Sequence, residues 1–289
     1  MGLMVRLAPP AIRGRVASYY GSAFLIGNIT GPLAGSALAG FGYRVPFLVY
    51  AVALLIAVTL VWRLLSGASL RPVPGAPVLP PLTVREALRH PSTPSLLCSL
   101  AANGWMNFGV RVALVPMFAA AVPGIGAAMA GVLLTGFAVG NAAALQFSGR
   151  LVDRHGRRPL VISGLVVSGV ATLGFGWSST VPVALALSVL AGGGAGLVNP
   201  AQQAAGADIV GSERSGGSVL AMFQMFGDGG AILGPILAGW VADTVGFGWA
   251  FALTGLISLA AAAAWLPALE TMPRQDRPTA AGASGTVVS

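Results

Sequence analysis

The chain has 289 residues, of which 55% are hydrophobic and only 8% are charged, and its formal net charge is +8. Soluble domains carry about 25% charged residues, so a soluble globule of this size could not cover its surface. The composition suits the hydrocarbon core of a bilayer. It excludes a soluble enzyme, a nucleic-acid-binding protein, a secreted disulfide scaffold and a disordered chain, and it favours an all-α polytopic membrane protein.

Eight mostly apolar runs are long enough to cross a bilayer as helices, which takes about 20 residues. Glycine and proline within these runs do not exclude them, because membrane helices tolerate both residues. In chain order the predicted spans are Val16–Gly40, Val45–Leu65, Pro94–Val122, Gly126–Ser148, Pro159–Trp177, Val181–Asp208, Gly216–Val241 and Phe247–Leu269.

All 16 basic residues are arginines, and nearly all of them lie in alternate loops between the predicted spans. The opposite set of loops contains only Arg44, and Arg111 lies within a span. Because basic residues concentrate in cytoplasmic loops, this pattern predicts a multi-pass protein of the plasma membrane with both termini in the cytoplasm. It also requires an even number of spans, in agreement with eight.

The remaining segments connect or follow the spans. We expect residues 1–65 to form two spans and residues 66–91 to form a proline-rich cytoplasmic linker, which includes a short amphipathic helix that begins with a capping box at Thr83–Glu86. Residues 92–270 should form a six-helix bundle, and residues 271–289 a disordered cytoplasmic tail. The single cysteine, Cys98, is expected to be a small buried side chain.

A glycine-rich pattern occurs twice in the chain. Gly27-x-x-x-Gly31-Pro32-x-x-Gly35 lies in the first span, and Gly230-x-x-x-Gly234-Pro235 lies in the seventh. Each pattern follows an arginine-containing approach and precedes a span that opens with an aromatic residue. Spans three to eight therefore correspond to a complete six-helix unit, and spans one and two to the last third of a second unit.

The segment between spans four and five reads Gly149-Arg150-Leu151-Val152-Asp153-Arg154-His155-Gly156-Arg157-Arg158. It resembles the cytoplasmic loop signature of the major facilitator superfamily at every defining position. The two Gly-Pro runs resemble that family's antiporter motif in the fifth helix and its symmetry mate in the eleventh, although Ser36 stands where the first run usually has a second glycine. The resemblance covers about residues 1–270. It implies helices five to twelve of a twelve-helix transporter, with helices one to four absent apart from a remnant at Met1–Ala8.

The loop signature predicts a conformational latch. Asp153 would sit at the start of the first span near Gly14–Ser18, where the helix N-terminus stabilises an anion. The arginines would supply charge-assisted donors, and Gly149 would allow close approach of a neighbouring helix. The proposed latch residues are Gly149, Asp153, Arg154, Gly156, Arg157 and Arg158. The alternative is a solvated loop that only sets the orientation in the membrane.

The Gly-Pro runs predict a packed hinge between the two halves that prevents leakage. Small residues let helix backbones approach closely, and proline favours bends. The hinge residues would be Gly27, Gly31, Pro32, Gly35, Gly230, Gly234 and Pro235. The alternative is ordinary packing between membrane helices.

Two charged residues lie within spans, where a charge costs about 2.5–3.5 kcal/mol on insertion scales and a functional site is the default hypothesis. Asp228 lies near the middle of the seventh span, and Arg111 lies toward the outer end of the third. A carboxylate in a low-dielectric cavity favours its neutral form and can carry a proton, so Asp228 is the candidate for proton coupling. The alternative is a structural pairing of Asp228 with Arg111 or with backbone groups.

Amides and a tryptophan in the same spans are candidates for lining a substrate cavity. A mostly apolar pocket with a few amides suits a small amphiphilic substrate. Together with Arg111 the candidates are Asn103, Trp105, Asn107, Asn141, Gln146, Asn199, Gln202, Gln203 and Gln224. For each amide, the alternative is a hydrogen bond that holds two helices together.

The sequence contains no nucleophile–base pair within a span, no metal-ligand spacing and no P-loop. We therefore expect no enzymatic activity, no cofactor, no metal and no use of ATP. The expected partners are the lipid bilayer, a small-molecule substrate and protons, but not nucleic acid. The expected function is secondary transport by alternating access, as proton-coupled efflux. The alternatives are a truncated, non-transporting fragment, a half that needs the missing helices, or a membrane scaffold.

Overall fold

The computed structural model describes residues 44–65, 80–211, 214 and 216–272. The chain divides into two units, Met1–Val78 and Leu79–Ser289. In the first unit, the described helix is α1, Val45–Leu65, which has 21 residues and coincides with the second predicted span. The first predicted span, with its Gly-Pro run, lies outside the described residues, and so do most of the linker and the tail from residue 273.

The second unit opens with the short helix α2, Val84–Leu88. The Thr83 hydroxyl accepts a hydrogen bond from the Glu86 backbone N–H at 3.3 Å, and the Glu86 carboxylate accepts one from the Thr83 backbone N–H at 3.0 Å. These two bonds are the capping box that the sequence predicts, and they satisfy amides that would otherwise lack partners at the start of the helix. The predicted start of this helix is confirmed.

Six helical segments in the described residues are long and apolar enough to cross a membrane, and they correspond to predicted spans three to eight. The first of them contains two α-helices joined by a π-helical turn at Gly104–Val110. The helices are α3 (Thr93–Asn103), α4 (Arg111–Ala121), α5 (Ala130–His155), α6 (Arg157–Phe175), α7 (Val181–Val210), α8 (Gly217–Thr244) and α9 (Phe247–Ala264). The described chain contains no strand, so the all-α membrane class is confirmed.

The six segments pack into a bundle with two apolar cores. Helix α7 packs against α5 and α6, α6 also packs against α9, and α8 packs against α3 and the π-helical turn. One core surrounds Leu96 and Trp265, and the other surrounds Phe118, Phe175 and Phe251 near the opposite ends of the helices. Asn103, Asn107 and Gln202 are among the buried polar side chains of the bundle.

Small residues and hydroxyls bring the helices close together. Three serines donate hydrogen bonds of 2.7–2.9 Å to carbonyl oxygens of a neighbouring helix: Ser188 to Leu133, Ser168 to Ala191, and Ser258 to Leu165. In lipid, such bonds and van der Waals packing hold helices together, since hydrophobic burial between helices provides little driving force. Cys98 is exposed on α3, so the expectation that it is buried is wrong.

Candidate functional site

Four of the predicted cavity residues meet in one hydrogen-bonded cluster between the two apolar cores. The Asn103 Nδ2 atom donates to Asn199 Oδ1 at 2.8 Å and to Gln202 Oε1 at 3.3 Å. The Asn107 Nδ2 atom donates to Asn103 Oδ1 at 2.6 Å. These four residues, which we call the amide cluster, join α3 and the π-helical turn to α7.

The amide cluster is not fully satisfied. Asn107 Oδ1 and Gln202 Nε2 are buried, and neither has a hydrogen-bond partner among the described residues. A buried polar atom without a partner typically costs about 1–3 kcal/mol. The cluster therefore presents one free acceptor and one free donor that a ligand or water could satisfy.

Arg111 lies one helical turn beyond Asn107, and its side chain is buried, with 5% of the residue exposed. One terminal nitrogen donates to the Thr172 hydroxyl at 3.3 Å. The guanidinium carbon lies 4.0 Å from the centre of the Phe137 ring. The Nε atom is buried and has no hydrogen-bond partner in the described part of the chain. The guanidinium is thus held by a neutral hydroxyl and an aromatic face.

The π-helical turn positions these side chains. The Arg111 backbone N–H donates to the carbonyl of Met106, five residues earlier. A Cβ atom on Gly104 would overlap the carbonyl of Gly227, and one on Gly109 would lie 2.9 Å from the carbonyl of Ala231. The two glycines therefore let α8 approach the wide turn closely. Such turns occur frequently at functional sites.

Trp105 has a different environment from the amide cluster. Its indole Nε1 donates to the Thr254 hydroxyl at 3.2 Å, and the ring packs within the apolar core around Phe118. The indole therefore links the π-helical turn to α9.

The remaining predicted cavity residues do not join the amide cluster. Asn141 is half-buried on α5, where its backbone carbonyl faces Gly196 of α7. Gln146 on α5 and Gln203 on α7 are exposed.

Asp228 and Gln224 form a pair on the exposed face of α8. The Gln224 Nε2 atom donates to Asp228 Oδ1 at 2.9 Å. The spacing of four residues places both side chains on one face of the helix. Asp228 does not pair with Arg111 in this structure, in contrast to one of the two alternatives raised from the sequence.

The glycines of the seventh span pack inside the six-helix bundle. A Cβ atom on Gly230 would overlap the carbonyl of Ala101, and one on Gly234 would lie 2.8 Å from the carbonyl of Trp105. Helix α8 continues through Pro235. These glycines therefore bring α8 against α3 and the π-helical turn. The corresponding run from Gly27 to Gly35 lies outside the described residues.

The loop signature is almost entirely helical, which corrects the expectation of a loop from Gly149 to Arg158. Helix α5 extends to His155, and α6 begins at Arg157, so Gly156 alone connects them. Gly156 has a φ of 93°, a conformation that suits glycine. A Cβ on Gly149 would meet no atom within 4 Å in the described chain, and the first span that it was expected to approach lies outside the described residues.

The predicted latch residues separate into two groups. Asp153 and Arg154 are exposed at the end of α5, and the segment near Gly14–Ser18 that Asp153 was expected to contact lies outside the described residues. Arg157 and Arg158 lie at the start of α6.

A carboxylate does bind a helix N-terminus here, but it belongs to Glu270. The backbone N–H groups of Arg157 and Arg158 donate to its two oxygens at 2.8 and 3.1 Å. The Arg157 Nε atom lies 2.8 Å from Asp208 Oδ2, and Arg158 donates to the carbonyls of Trp265 and Leu266. These contacts connect α6 with α7 and with the segment after α9. We call the region that contains Arg157, Arg158, Asp208 and Glu270 the arginine end of the bundle.

Sequence reasoning missed several residues that complete these sites. They are Thr172, Thr254 and Phe137 in the interior, and Asp208 and Glu270 at the arginine end. The sequence did contain an indication of the two carboxylates, because each is a single acidic residue at the end of an apolar run. Phe137 had no such signal among many apolar neighbours.

Comparison with known proteins agrees with this fold. The family described as Major Facilitator Superfamily matches residues 1–119 and 96–288. The chain belongs to the Major Facilitator Superfamily. Its described helices accordingly indicate a multi-pass membrane protein. A crystal structure of the peptide transporter POT is similar to 65% of this chain, with a TM-score of 0.53 and 18% sequence identity, and this chain covers 39% of that protein.

Several curated relatives belong to the same superfamily or export drugs. Multidrug resistance protein 2 of Bacillus subtilis is 32% identical over 156 residues, which are 53% of this chain and 37% of the relative. Multidrug export protein EmrB of Haemophilus influenzae is 29% identical over 44% of this chain and 25% of the relative. An uncharacterized MFS-type transporter of Mycobacterium tuberculosis is 34% identical over 48% of this chain and 24% of the relative. The chain thus spans well under half the length of these relatives.

Proposed function

We propose that this chain serves secondary transport of a small molecule by alternating access, as proton-coupled efflux. The observation that carries the proposal is the amide cluster with Arg111, which lies buried between two apolar cores of a membrane-spanning bundle. Polar and charged groups inside such a bundle are costly and mark substrate or ion pathways. The names of two relatives, which describe multidrug resistance and export, support efflux.

The amide cluster would hold the polar part of the substrate. The free acceptor on Asn107 and the free donor on Gln202 supply two fixed hydrogen-bonding positions, and the cores on both sides supply apolar walls. Apolar surroundings with a few polar groups that fix the orientation suit an amphiphile. Asn103 would support both residues through its own hydrogen bonds, and Asn199 would in turn hold Asn103.

Asp228 would carry the coupled proton. It is exposed, so a proton can reach it, and its helical neighbours Met225, Phe226 and Ile232 are exposed apolar side chains. Acidic residues within membrane spans commonly mark proton relays in transporters. The Gln224 amide donates to the ionised form and would stabilise it after the proton leaves.

The membrane orientation, the latch and the hinge would be those that the resemblance to the superfamily implies. The arginine end would face the cytoplasm, together with both termini, since positive residues favour that side. The latch would connect Asp153 to the first span. The Gly27–Gly35 run would supply the hinge between the two halves, because Gly230 and Gly234 pack within the six-helix bundle.

The test is transport in proteoliposomes that contain this chain alone, with ethidium as a cationic probe and fluorescein as an anionic probe. We expect accumulation of a probe that depends on an imposed pH gradient. Asp228→Asn should abolish the gradient-dependent part, because an amide cannot release a proton. Asp243→Asn is the matched control, since Asp243 is an exposed carboxylate near the end of the same helix.

Two outcomes would contradict the proposal. An unchanged response to the pH gradient in Asp228→Asn would exclude Asp228 as the coupling group. No flux of either probe with the unaltered chain would favour the alternative of a half that needs further helices.

A further inference from the structure

We infer that Arg111 binds an oxyanion of the substrate, so that the transported amphiphile carries a carboxylate-type group. The inference rests on the proposed transport function and adds the chemical class of the substrate. Its basis is a buried guanidinium that no carboxylate of the described residues neutralises, beside polar atoms that lack partners.

Among the described residues, no carboxylate lies within ion-pair distance of Arg111. The chain has eight acidic residues, and the first in the sequence is Glu86. Residues 1–85 therefore supply none. Among the acidic residues of the described spans, Asp228 alone lies away from a helix end, and it accepts its hydrogen bond from Gln224 on the exposed face of α8.

The Nε–H group of Arg111 is a donor without a hydrogen-bond partner among the described residues. Thr172 occupies a terminal nitrogen, whereas the Nε–H is buried without a partner. Thr172 itself donates weakly to the Met106 sulfur at 3.5 Å, so it brings no charge to the site. The Nε–H and a terminal N–H of a guanidinium form a fork that matches two oxygens of a carboxylate. A charged donor left unmatched in a low-dielectric interior is costly, and an anionic ligand removes that cost.

The Phe137 ring covers the Arg111 guanidinium, and movement of this ring would make the guanidinium accessible to a ligand. Its ring face lies over the charge and stabilises it by a cation–π interaction while no anion is bound. The ring is half-buried, and α5, which carries it, is the least buried of the six described spans. A change in the Phe137 rotamer therefore uncovers Arg111 without repacking the bundle core.

The experiment measures binding to the purified chain in detergent by isothermal titration calorimetry. Three probes of nearly equal shape are compared: benzoate, benzamide and benzylammonium. We expect benzoate to bind and the neutral and cationic probes to bind at least 10-fold more weakly. Arg111→Gln should weaken benzoate roughly 10- to 100-fold, the loss that removal of a charge-assisted bond produces. Arg85→Gln, on exposed α2, is the matched control and should leave affinity unchanged.

Binding of sodium sulfate is measured separately, because the oxyanion could come from an organic molecule or from an inorganic salt. Binding of sulfate that depends on Arg111 and competes with benzoate would assign the site to inorganic oxyanions. Binding of benzoate without sulfate would assign it to organic carboxylates.

Two further variants keep the inference falsifiable if Arg111→Gln does not fold. Phe137→Leu removes the aromatic cover and should strengthen benzoate binding several-fold. A gain in benzoate affinity of 10-fold or more in Asp228→Asn would show that Asp228 is the counter-ion of Arg111 in another conformation and would overturn the inference. Equal binding of all three probes would also overturn it. These binding results do not depend on flux, so they separate this inference from failure of proton coupling.

Discussion

Arg157 and Arg111 are two arginines in mostly buried positions of the same bundle, and their environments differ in kind. Arg157 lies 2.8 Å from an Asp208 oxygen, with 12% of its side chain exposed. Arg111 contacts a threonine hydroxyl and a phenylalanine ring, and it forms no ion pair with another described residue. Arg157 therefore has an ion-pair partner among the described residues, whereas Arg111 has none.

The difference separates groups that hold the bundle together from groups that are available for another molecule. At the arginine end, Glu270 binds two backbone amides at the start of α6, and Asp208 binds the side chain of Arg157. In the interior, Arg111, Asn107 and Gln202 each keep a polar atom without a described partner. Unsatisfied polar groups lower stability, and proteins commonly accept such a cost at sites that must bind a ligand.

The largest changes in the free energy of unfolding should come from replacing Arg157 or Arg111 by methionine. The two changes should have opposite signs. Arg157→Met leaves Asp208 partly buried without its partner, and we expect the free energy of unfolding to fall by about 1–3 kcal/mol. Arg111→Met removes a charge that no carboxylate balances, and we expect a rise of about 1–3 kcal/mol. Unfolding in mixed micelles with increasing SDS measures both changes.

A matched control for this pair is Arg85→Met, on the exposed α2, which should change the free energy of unfolding by less than about 0.5 kcal/mol. Destabilisation of equal size in Arg111→Met and Arg157→Met would remove the distinction between the two arginines. It would mean that Arg111 is as well satisfied as Arg157.

A smaller effect should follow Glu270→Ala. This substitution removes the acceptor for the Arg157 and Arg158 backbone amides, and the loss of a helix cap costs about 1 kcal/mol. Glu270→Gln retains an acceptor oxygen and should cost less. Hydrogen exchange of the first turn of α6 measures both variants. Unchanged exchange in the alanine variant would show that water replaces the carboxylate without loss.

The smallest effect concerns the exposed ion pair of Arg214 and Glu86, at 3.1 Å. Hydrogen bonds from Thr83, assisted by the Arg214 charge, hold the pKa of Glu86 below its ordinary value of 4.5. Because the pKa is lower in the folded state, the stabilisation of α2 is present above pH 4.5 and is lost as the pH falls through the lower folded value.

Hydrogen exchange of the α2 amides between pH 7 and pH 3 measures this loss. Because the intrinsic exchange rate itself falls strongly toward pH 3, the comparison uses protection factors. Glu86→Gln should lower the protection factors at pH 7 and change them little further toward pH 3. An equal pH dependence in the variant and the unaltered chain would exclude Glu86 as its origin.

The parts of the fold that depend on neighbours in sequence could be predicted. The starts of α7 at Val181 and α9 at Phe247 coincide with the predicted spans, because apolar length alone sets them. The capping box at Thr83 depends on residues three positions apart. The signature that ends at Arg158 carried the resemblance to the Major Facilitator Superfamily, and the family match confirms it.

The parts that depend on distant residues could not be predicted. Glu270 reaches the start of α6 from more than a hundred residues away in the sequence, so no local pattern predicted this contact. Phe137 and Thr172 meet Arg111 only after three helices pack. The π-helical turn has no periodic signal in the sequence, because it depends on α8 packing against Gly104 and Gly109.

That turn has a consequence for how this span is aligned with its relatives. A π-helical turn accommodates an additional residue within an otherwise α-helical path. Each residue of an α-helix advances the helical face by about 100°. Consider an ungapped sequence alignment of this span with a relative whose helix is regular. Asn103, before the turn, is then matched to a residue on the same helical face, whereas Arg111, after the turn, is matched to a residue on a different face. The position equivalent to Arg111 in a relative without the turn is displaced by one residue, and residue identity at this site has to be compared through the three-dimensional superposition.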